Sequence, residues 1–263
     1  MRWDAKQYEK FDDHRTRPFG DLLNRVPLQA PTHIVDLGCG NGLATLSMLD
    51  RWPAARITGV DSSEPMLAAA RDHDTDGRVE WVNQDVSQWV PPAEVDLVVT
   101  NATLQWVPGH EAMIERWIDA LPVGGAFAMQ VPGNFTAESH RIIREVVHEH
   151  PRASVLVPLL RHDPVLSPQG YADLLAGRCG HVDAWETTYV QILDPEGAQQ
   201  NPVLEWVKGT ALRPILDRLG PDEIDPFLDG LGARLAEAYP RRPYGVQFPF
   251  RRIFAVGVKG SQR

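Results

Sequence analysis

The sequence predicts an α/β fold: a doubly wound, mostly parallel sheet of seven strands, with an α-helical lid inserted before the last strand. Three observations predict it. Strand-like and helix-like runs alternate from residue 33 to residue 131, a glycine-rich turn joins the first strand to the first helix, and a long helix-forming stretch separates the last two strands.

His33-Ile34-Val35-Asp36-Leu37 is a short apolar run that stops at glycines, and Leu43 to Arg51 carries Leu43, Leu46, Met48 and Leu49 at helical spacing. Arg56 to Val60 forms a second strand ending at Asp61. Ser62-Ser63-Glu64-Pro65 then opens a helix with a hydroxyl cap and Pro in its first turn. Strands follow over 79–83 and 95–100, a helix over 111–121, and a fifth strand over 126–131 behind the turn Pro122-Val123-Gly124-Gly125. Beyond residue 133 a helix is expected over 135–150, an irregular Pro-rich stretch over 151–170 and helical character over 171–176. A strand over 183–193 puts Trp185, Thr187, Tyr189 and Gln191 on alternate positions, and the last strand, 246–258, is its pairing candidate. The intervening residues 194–245 hold helical runs at 203–219 and 224–238, a periodicity that reads as an ordered lid. The chain is thus expected to be one domain, 1–263, with an N-terminal helical cap over 1–30 and the insertion 194–245 above a substrate pocket.

Hydrophobic residues make up 43% of the 263 and charged residues 23%, enough apolar material for a large core. The net charge of -9 removes any general attraction to phosphate backbones or anionic membranes, so neither nucleic acid nor a membrane is expected as a partner, and no obligate protein partner is evident. The start, Met1 to Lys6, is polar, and no run approaches the ~18 apolar residues of a membrane span; a cytoplasmic protein is expected. Cys39 and Cys179 are too few for a disulfide framework or a thiolate zinc site, and His148-Glu149-His150 lacks the spacing of a helical zinc site, so no metal is expected. Of the 26 cations, 22 are Arg and four are Lys. That bias reads either as background composition or as a need to grip carboxylates, which guanidinium groups bind in bidentate fashion.

The strongest chemical signal is Asp36-Leu37-Gly38-Cys39-Gly40-Asn41-Gly42 between the first strand and the first helix. Glycines there allow a tight turn and a close approach of ligand to backbone, at the strand ends where doubly wound sheets bind their ligands. The dinucleotide form G-x-G-x-x-G is not matched, because position 43 is Leu, and this speaks against a nicotinamide enzyme. Asp36 could face an ammonium group and Asp61, ending strand two, could chelate a ribose diol. After strand three, Asp85 could accept from an adenine amino group while Val86 covers the ring.

This constellation resembles the class I S-adenosylmethionine-dependent methyltransferases, whose fold is Rossmann-like. The resemblance implies S-adenosylmethionine held by Asp36, Gly38, Cys39, Gly40, Gly42, Asp61, Ser62, Asp85, Val86 and Asn101. A narrower resemblance, to the trans-aconitate methyltransferase family, rests on segments spread over the chain: Trp3-Asp4 with Tyr8 and Phe11, Arg15-Thr16-Arg17-Pro18, Arg51 to Ile57, Asn101-Ala102-Thr103-Leu104-Gln105-Trp106, Trp185 to Tyr189, Thr210 to Pro214 and Phe248 to Phe254. Asn41 stands where many relatives have Pro. The resemblance implies methyl transfer to a carboxylate of trans-aconitate, giving a monomethyl ester and S-adenosylhomocysteine.

The chemistry asks for no general base, because a carboxylate is already ionised at pH 7; no catalytic His or Cys is expected. It asks for alignment, for exclusion of water and for cations. Arg17, Arg213 and Arg252 are the clamp candidates, each equally readable as half of a structural ion pair. Gln105 and Trp106, just past strand four, could hydrogen-bond and wall off the substrate. Tyr189 is a weaker candidate, since alternating strand aromatics usually serve the core. Competing readings are a methyltransferase for another small acid or a quinone-type ring, which would need a base, and a noncatalytic S-adenosylmethionine-binding protein, which would need no clamp.

Overall fold

The computed structural model describes residues 13–160 and 164–261, with side chains from Thr16 onward. Trp3, Asp4, Tyr8 and Phe11, and the rest of the N-terminal segment before residue 13, lie outside the described residues. Among the described residues the strands are β1 (His33–Leu37), β2 (Arg56–Asp61), β3 (Val79–Asn83), β4 (Leu97–Asn101), β5 (Ala126–Pro132), β6 (Cys179–Leu193), the two-residue β7 (Arg241–Arg242) and β8 (Gly245–Lys259). Seven of them lie side by side in the order β3-β2-β1-β4-β5-β8-β6, with β7 clipped to β8. Strands β1 to β5 pair in parallel and β8 runs antiparallel to β5, the mostly parallel, doubly wound sheet that the alternating pattern predicts. All five residues of β1 are buried, as expected for a central strand covered on both faces.

The helices are α1 (Asp13–Asn24), α2 (Leu43–Arg51), α3 (Glu64–His73), α4 (His110–Ala120), α5 (Glu138–Glu149), α6 (Ala153–Leu156), α7 (Pro168–Ala176), α8 (Pro202–Lys208), α9 (Arg213–Leu216) and α10 (Pro221–Ala238). The described residues divide into two compact units. One holds the described residues up to Pro132, together with Pro164–Thr187 and those from Arg252 on; the other holds the described residues of 133–163 and Thr188–Arg251.

In the first unit, Val35, Leu37, Val98, Phe127, Met129 and Val131 point to one face of the sheet and pack with Trp117 of α4 and Tyr171 of α7. His110 and Tyr171 brace that layer through a 2.8 Å hydrogen bond between Nε2 and the phenol oxygen. Helix α1 packs against β5, with Phe19 and Leu22 buried, and Arg51 at the end of α2 donates to the carbonyls of Leu23 and Val26. That contact fixes where α1 ends.

In the second unit α10 packs against α5 and α8. Trp206 of α8 and Tyr239 close on Phe248 at ring separations of 5.7 and 5.4 Å. The Tyr239 hydroxyl accepts from the backbone N–H of Ser139 in the first turn of α5. Helix α10 starts three residues before the apolar period at 224 because Gly220 and Glu223 form a capping contact of 2.7 Å with Pro221 at the first position.

Several boundaries differ from expectation. Strand β6 begins at Cys179 instead of 183, and the stretch 151–170 is not wholly irregular, since α6 lies within it. The run 203–219 breaks into α8 and α9, because Gly209 ends the first and Pro214 opens the second. Among the described residues no helix is long and apolar enough to cross a membrane.

Candidate active site

The glycine loop leaves β1 with Gly38, Gly40 and Gly42 all at positive φ, the last initiating α2. Gly38 needs its hydrogen for two reasons. Its φ of +79° is left-handed, and a Cβ there would lie 2.1 Å from Thr103 Oγ1. Gly42 likewise leaves room for the ring of Trp81. The N–H groups of Gly38 and Cys39 are taken by Val60 O, so the loop is fastened to the end of β2. The Cys39 thiol is buried, and burial pushes its pKa well above the usual thiol range; it behaves as a small apolar side chain.

Asp36, the fourth residue of β1, is buried and accepts from Thr45 Oγ1 at 2.6 Å through Oδ2, while Oδ1 has no partner. Burial pushes its pKa up to about 7, against the opposing pull of the Thr45 hydrogen bond and with a smaller push from Asp61. A buried carboxyl with an open oxygen asks for a cation, and the ammonium or sulfonium of S-adenosylmethionine is one. Asp61 at the end of β2 accepts from Gly40 N at 3.0 Å and from Ser63 N at 2.8 Å. It fastens the glycine loop to the start of α3, and each of its oxygens keeps a further lone pair for a diol. Here one expectation is corrected: the Ser63 hydroxyl does not cap α3; Pro65 has no N–H to offer it, and the N–H groups of Met66 and Leu67 both go to Ser63 O. Ser62 is exposed. Asp85 accepts from Ser87 N at 2.8 Å and caps a one-turn 3₁₀ helix that begins at the buried Val86.

The segment after β4 is held in a constrained turn. Asn101 ends the strand, Ala102 is left-handed at φ 54°, and its N–H donates to Gln130 O at 2.8 Å. The Thr103 hydroxyl donates to the carbonyls of Asn101 and Gly38, tying this turn to the glycine loop. Gln105 is buried and turns its amide back to Ala102 O; with Trp106 it forms a 3₁₀ turn. Asn101 Oδ1 is buried without a hydrogen-bond partner.

The clamp candidates are placed differently from one another. Arg252 is 3% exposed on β8, and its Nη1 donates to Gln130 Oε1 at 3.0 Å. Arg17 is 75% exposed at its side chain and lies 4.0 Å from Asp21 one turn on. Arg213 is half-buried at the first position of α9, and Tyr189 is buried on β6; both belong to the second unit. Pairing across the sheet aligns Asp36 with Val99, Val99 with Ala128, Asn101 with Gln130, and Pro132 with Arg252. Because side chains alternate along a strand, Asp36, Asn101, Gln130 and Arg252 all project from one face, opposite the layer of Trp117 and Tyr171.

Sequence reasoning missed Gln130 and His140. Gln130 carries a visible signal, an amide inside the apolar run Ala126 to Val131. His140 on α5 is flanked by Phe135 at a ring separation of 5.5 Å, and its Nδ1 lies 3.4 Å from Ser139 Oγ. Burial, with a contribution from Arg144, pushes its pKa down to about 4. Among the described residues no group of three or more His, Cys, Asp or Glu could hold a metal.

Residues 34–125 match the model of a methyltransferase domain family. The chain is 49% identical to a trans-aconitate 2-methyltransferase of Streptomyces coelicolor, over 98% of this chain and 86% of that one. It is 50% identical to a protein of the same name from Rhodococcus jostii, over 97% and 98%. Among solved structures it is similar to a phosphoethanolamine N-methyltransferase of Haemonchus contortus in complex with S-adenosylhomocysteine, with a TM-score of 0.55 at 17% identity over 93% of this chain and 53% of that one. It is also similar to the YcgJ protein from Bacillus, with a TM-score of 0.59 at 10% identity over 94% and 99%. The structural matches carry the fold, and the near-half identity over almost the whole length, insertion included, carries the rest: the chain belongs to the trans-aconitate 2-methyltransferase family of class I methyltransferases.

Proposed function

We propose that this chain transfers the methyl group of S-adenosylmethionine to a carboxylate of trans-aconitate, releasing the monomethyl ester and S-adenosylhomocysteine. The observation that carries this reading is the full-length identity of about half to relatives bearing that name. S-adenosylmethionine, when bound, supplies an electrophilic methyl carbon on a sulfonium centre. Asp36, with its open oxygen, would meet the positive charge of the donor's methionine end. The backbone at Gly38 and Gly40 would border it closely, Asp61 would take the ribose diol, and Asp85 and Val86 the adenine. Ser62, Cys39 and Gly42 shape the loop and the strand end around it.

The acceptor carboxylate attacks as it stands, so the chain must align and desolvate it rather than deprotonate it; alignment alone supplies up to roughly 7–11 kcal/mol of barrier lowering. Arg252 is the foremost clamp residue in this reading, with Arg17 as a further cation and Gln105 and Trp106 as orienting groups. The substrate is a small polycarboxylate. The setting proposed is the cytoplasm, where the free thiols of Cys39 and Cys179 stay reduced.

The test is to incubate the purified chain with methyl-labelled donor and trans-aconitate. An ester that alkali converts to labelled methanol supports the reading, and tight donor binding without product sinks it.

A further inference from the structure

We propose that Thr45 is a positioning residue for the cofactor: its hydroxyl takes one oxygen of Asp36 and leaves the other to the ammonium group of S-adenosylmethionine, which Asp36 receives by giving up a proton. This deepens the functional reading above and rests on it, since there Asp36 meets the positive charge of the donor's methionine end.

Thr45 is the third residue of α2 and is 0% exposed. A threonine in a helix ordinarily turns its hydroxyl to the carbonyl one turn back. Thr45 Oγ1 donates instead to Asp36 Oδ2 at 2.6 Å, nine residues back on β1. Asp36 Oδ1 is left buried and without a hydrogen-bond partner. The two oxygens of one carboxyl thus differ: one is held by the fold, the other stays open.

What surrounds Asp36 decides its charge. Its aligned neighbours on β2 and β4 are Gly59 and Val99, and α2 contributes the Thr45 hydroxyl. The titratable groups that act on it are Asp61 at the end of β2 and the Cys39 thiol of the glycine loop. No cation among the described residues offsets its charge. A buried carboxyl beside a second acid, with no cation to compensate it, holds its proton to higher pH. That proton belongs on Oδ1, because Oδ2 accepts from Thr45. Burial accordingly raises the pKa of Asp36 to about 7, against the pull of Thr45 and with a smaller push from Asp61.

The proton and an ammonium group therefore compete for one oxygen. When the ammonium takes it, the O–H bond of Asp36 breaks, the proton passes to solvent, and a charge-assisted pair forms in its place. Thr45 favours that exchange, since its hydrogen bond stabilises the ionised carboxylate.

The test is calorimetric binding of S-adenosylhomocysteine, which keeps the ammonium group and lacks the sulfonium charge. It is run from about pH 5.5 to about pH 7.5, in two buffers of different ionisation heat, on the parent, Thr45→Val and Thr45→Ser. The parent should release close to one proton per cofactor bound at about pH 6, and its Kd should rise by a factor approaching about tenfold per unit as pH falls below about 7. Thr45→Val keeps the shape and removes the hydroxyl; it should move the onset of that rise up by about one pH unit and weaken binding about fivefold at about pH 7. Thr45→Ser should restore the parent's profile. A merely structural role of Thr45 predicts a loss of affinity by the same factor at every pH, with the onset unmoved, and that result overturns the proposal. If Thr45→Val does not fold, Thr45→Ala takes its place, and the parent's proton count decides the coupling by itself. A parent that binds S-adenosylhomocysteine with a pH-independent Kd and no proton release sinks this inference alone. A parent that binds neither S-adenosylmethionine nor S-adenosylhomocysteine at any pH sinks the functional reading, and this inference with it.

Discussion

The hydroxyl of Thr103 occupies the space that a Cβ on Gly38 would need, 2.1 Å from it, so the turn after β4 is packed into the glycine loop after β1. The Thr103 hydroxyl also donates to Gly38 O. The two loops that border the proposed methyl-transfer centre thus form one piece, fastened at Val60 O and Gln130 O.

Gly38→Ala should accordingly be severe, combining a left-handed φ, worth about 1–2 kcal/mol for an L-residue, with a direct clash. Thr103→Ala added to Gly38→Ala removes the two closest contacts, to Oγ1 and Cγ2, and leaves the 2.7 Å contact with Cβ and the backbone term. The double variant should regain part of the lost Tm and of the S-adenosylhomocysteine affinity. A double variant no better than Gly38→Ala would show that the contact does not couple the loops.

Asp36 has a pKa raised to about 7 in the folded chain by burial, against an unfolded value near 3.9. The sign follows from linkage: the unfolded chain gives up this proton first, so stability is full below about pH 4 at this group and is lost as pH rises toward 7. Asp36→Asn should therefore raise the Tm of the cofactor-free chain at pH 8, by an amount on the order of 2–4 kcal/mol in stability, and should weaken S-adenosylmethionine binding by more than tenfold. Thermal melts at pH 5 and pH 8, with and without the donor, check both. A lowered Tm at pH 8 would contradict the reading.

His140 runs the other way. Its pKa, depressed to about 4 by burial, means that the unfolded chain binds the proton first as pH falls. Stability is present above about pH 6.5 and is lost between there and pH 4. His140→Gln should flatten the acid limb of the Tm profile over that window while leaving Tm at pH 8 within a few degrees. An unchanged acid limb would show that other groups govern it.

Arg252 and Arg17 should separate cleanly. Arg252 is 3% exposed on the face that carries Asp36, whereas the Arg17 side chain is 75% exposed. Arg252→Met should raise KM for trans-aconitate by more than tenfold, a loss of roughly 1.4 kcal/mol or more; Arg17→Met should change it by less than threefold. Steady-state kinetics at saturating donor decide between them, and the opposite ranking would move the clamp to α1.

These contrasts show what could be read in advance. Alternating runs, the glycines after Leu37 and the acids at strand ends were legible because strand period, turn chemistry and strand-end charge are local properties. The parity that puts Arg252 with Phe248 and Phe254 was legible too. Its partner was not: Gln130 meets Arg252 only because β8 folds back antiparallel onto β5, 122 residues along the chain. The same holds for Asp61: its bond to the backbone N–H of Gly40 depends on the parallel pairing of β1 and β2, which no local pattern shows. His140 gives a weaker signal: Phe135 and Arg144 stand near it in sequence, but no local pattern shows that the Phe135 ring lies against the imidazole or that the imidazole is buried.

The central claim is that the chain is built to methylate trans-aconitate. The most direct measurement is kcat/KM for methyl transfer from S-adenosylmethionine to trans-aconitate, set beside cis-aconitate, citrate and isocitrate under the same conditions. The account predicts the highest value for trans-aconitate and an alkali-labile monomethyl ester as product. A higher value for any of the other acids, or an alkali-stable product, would contradict it.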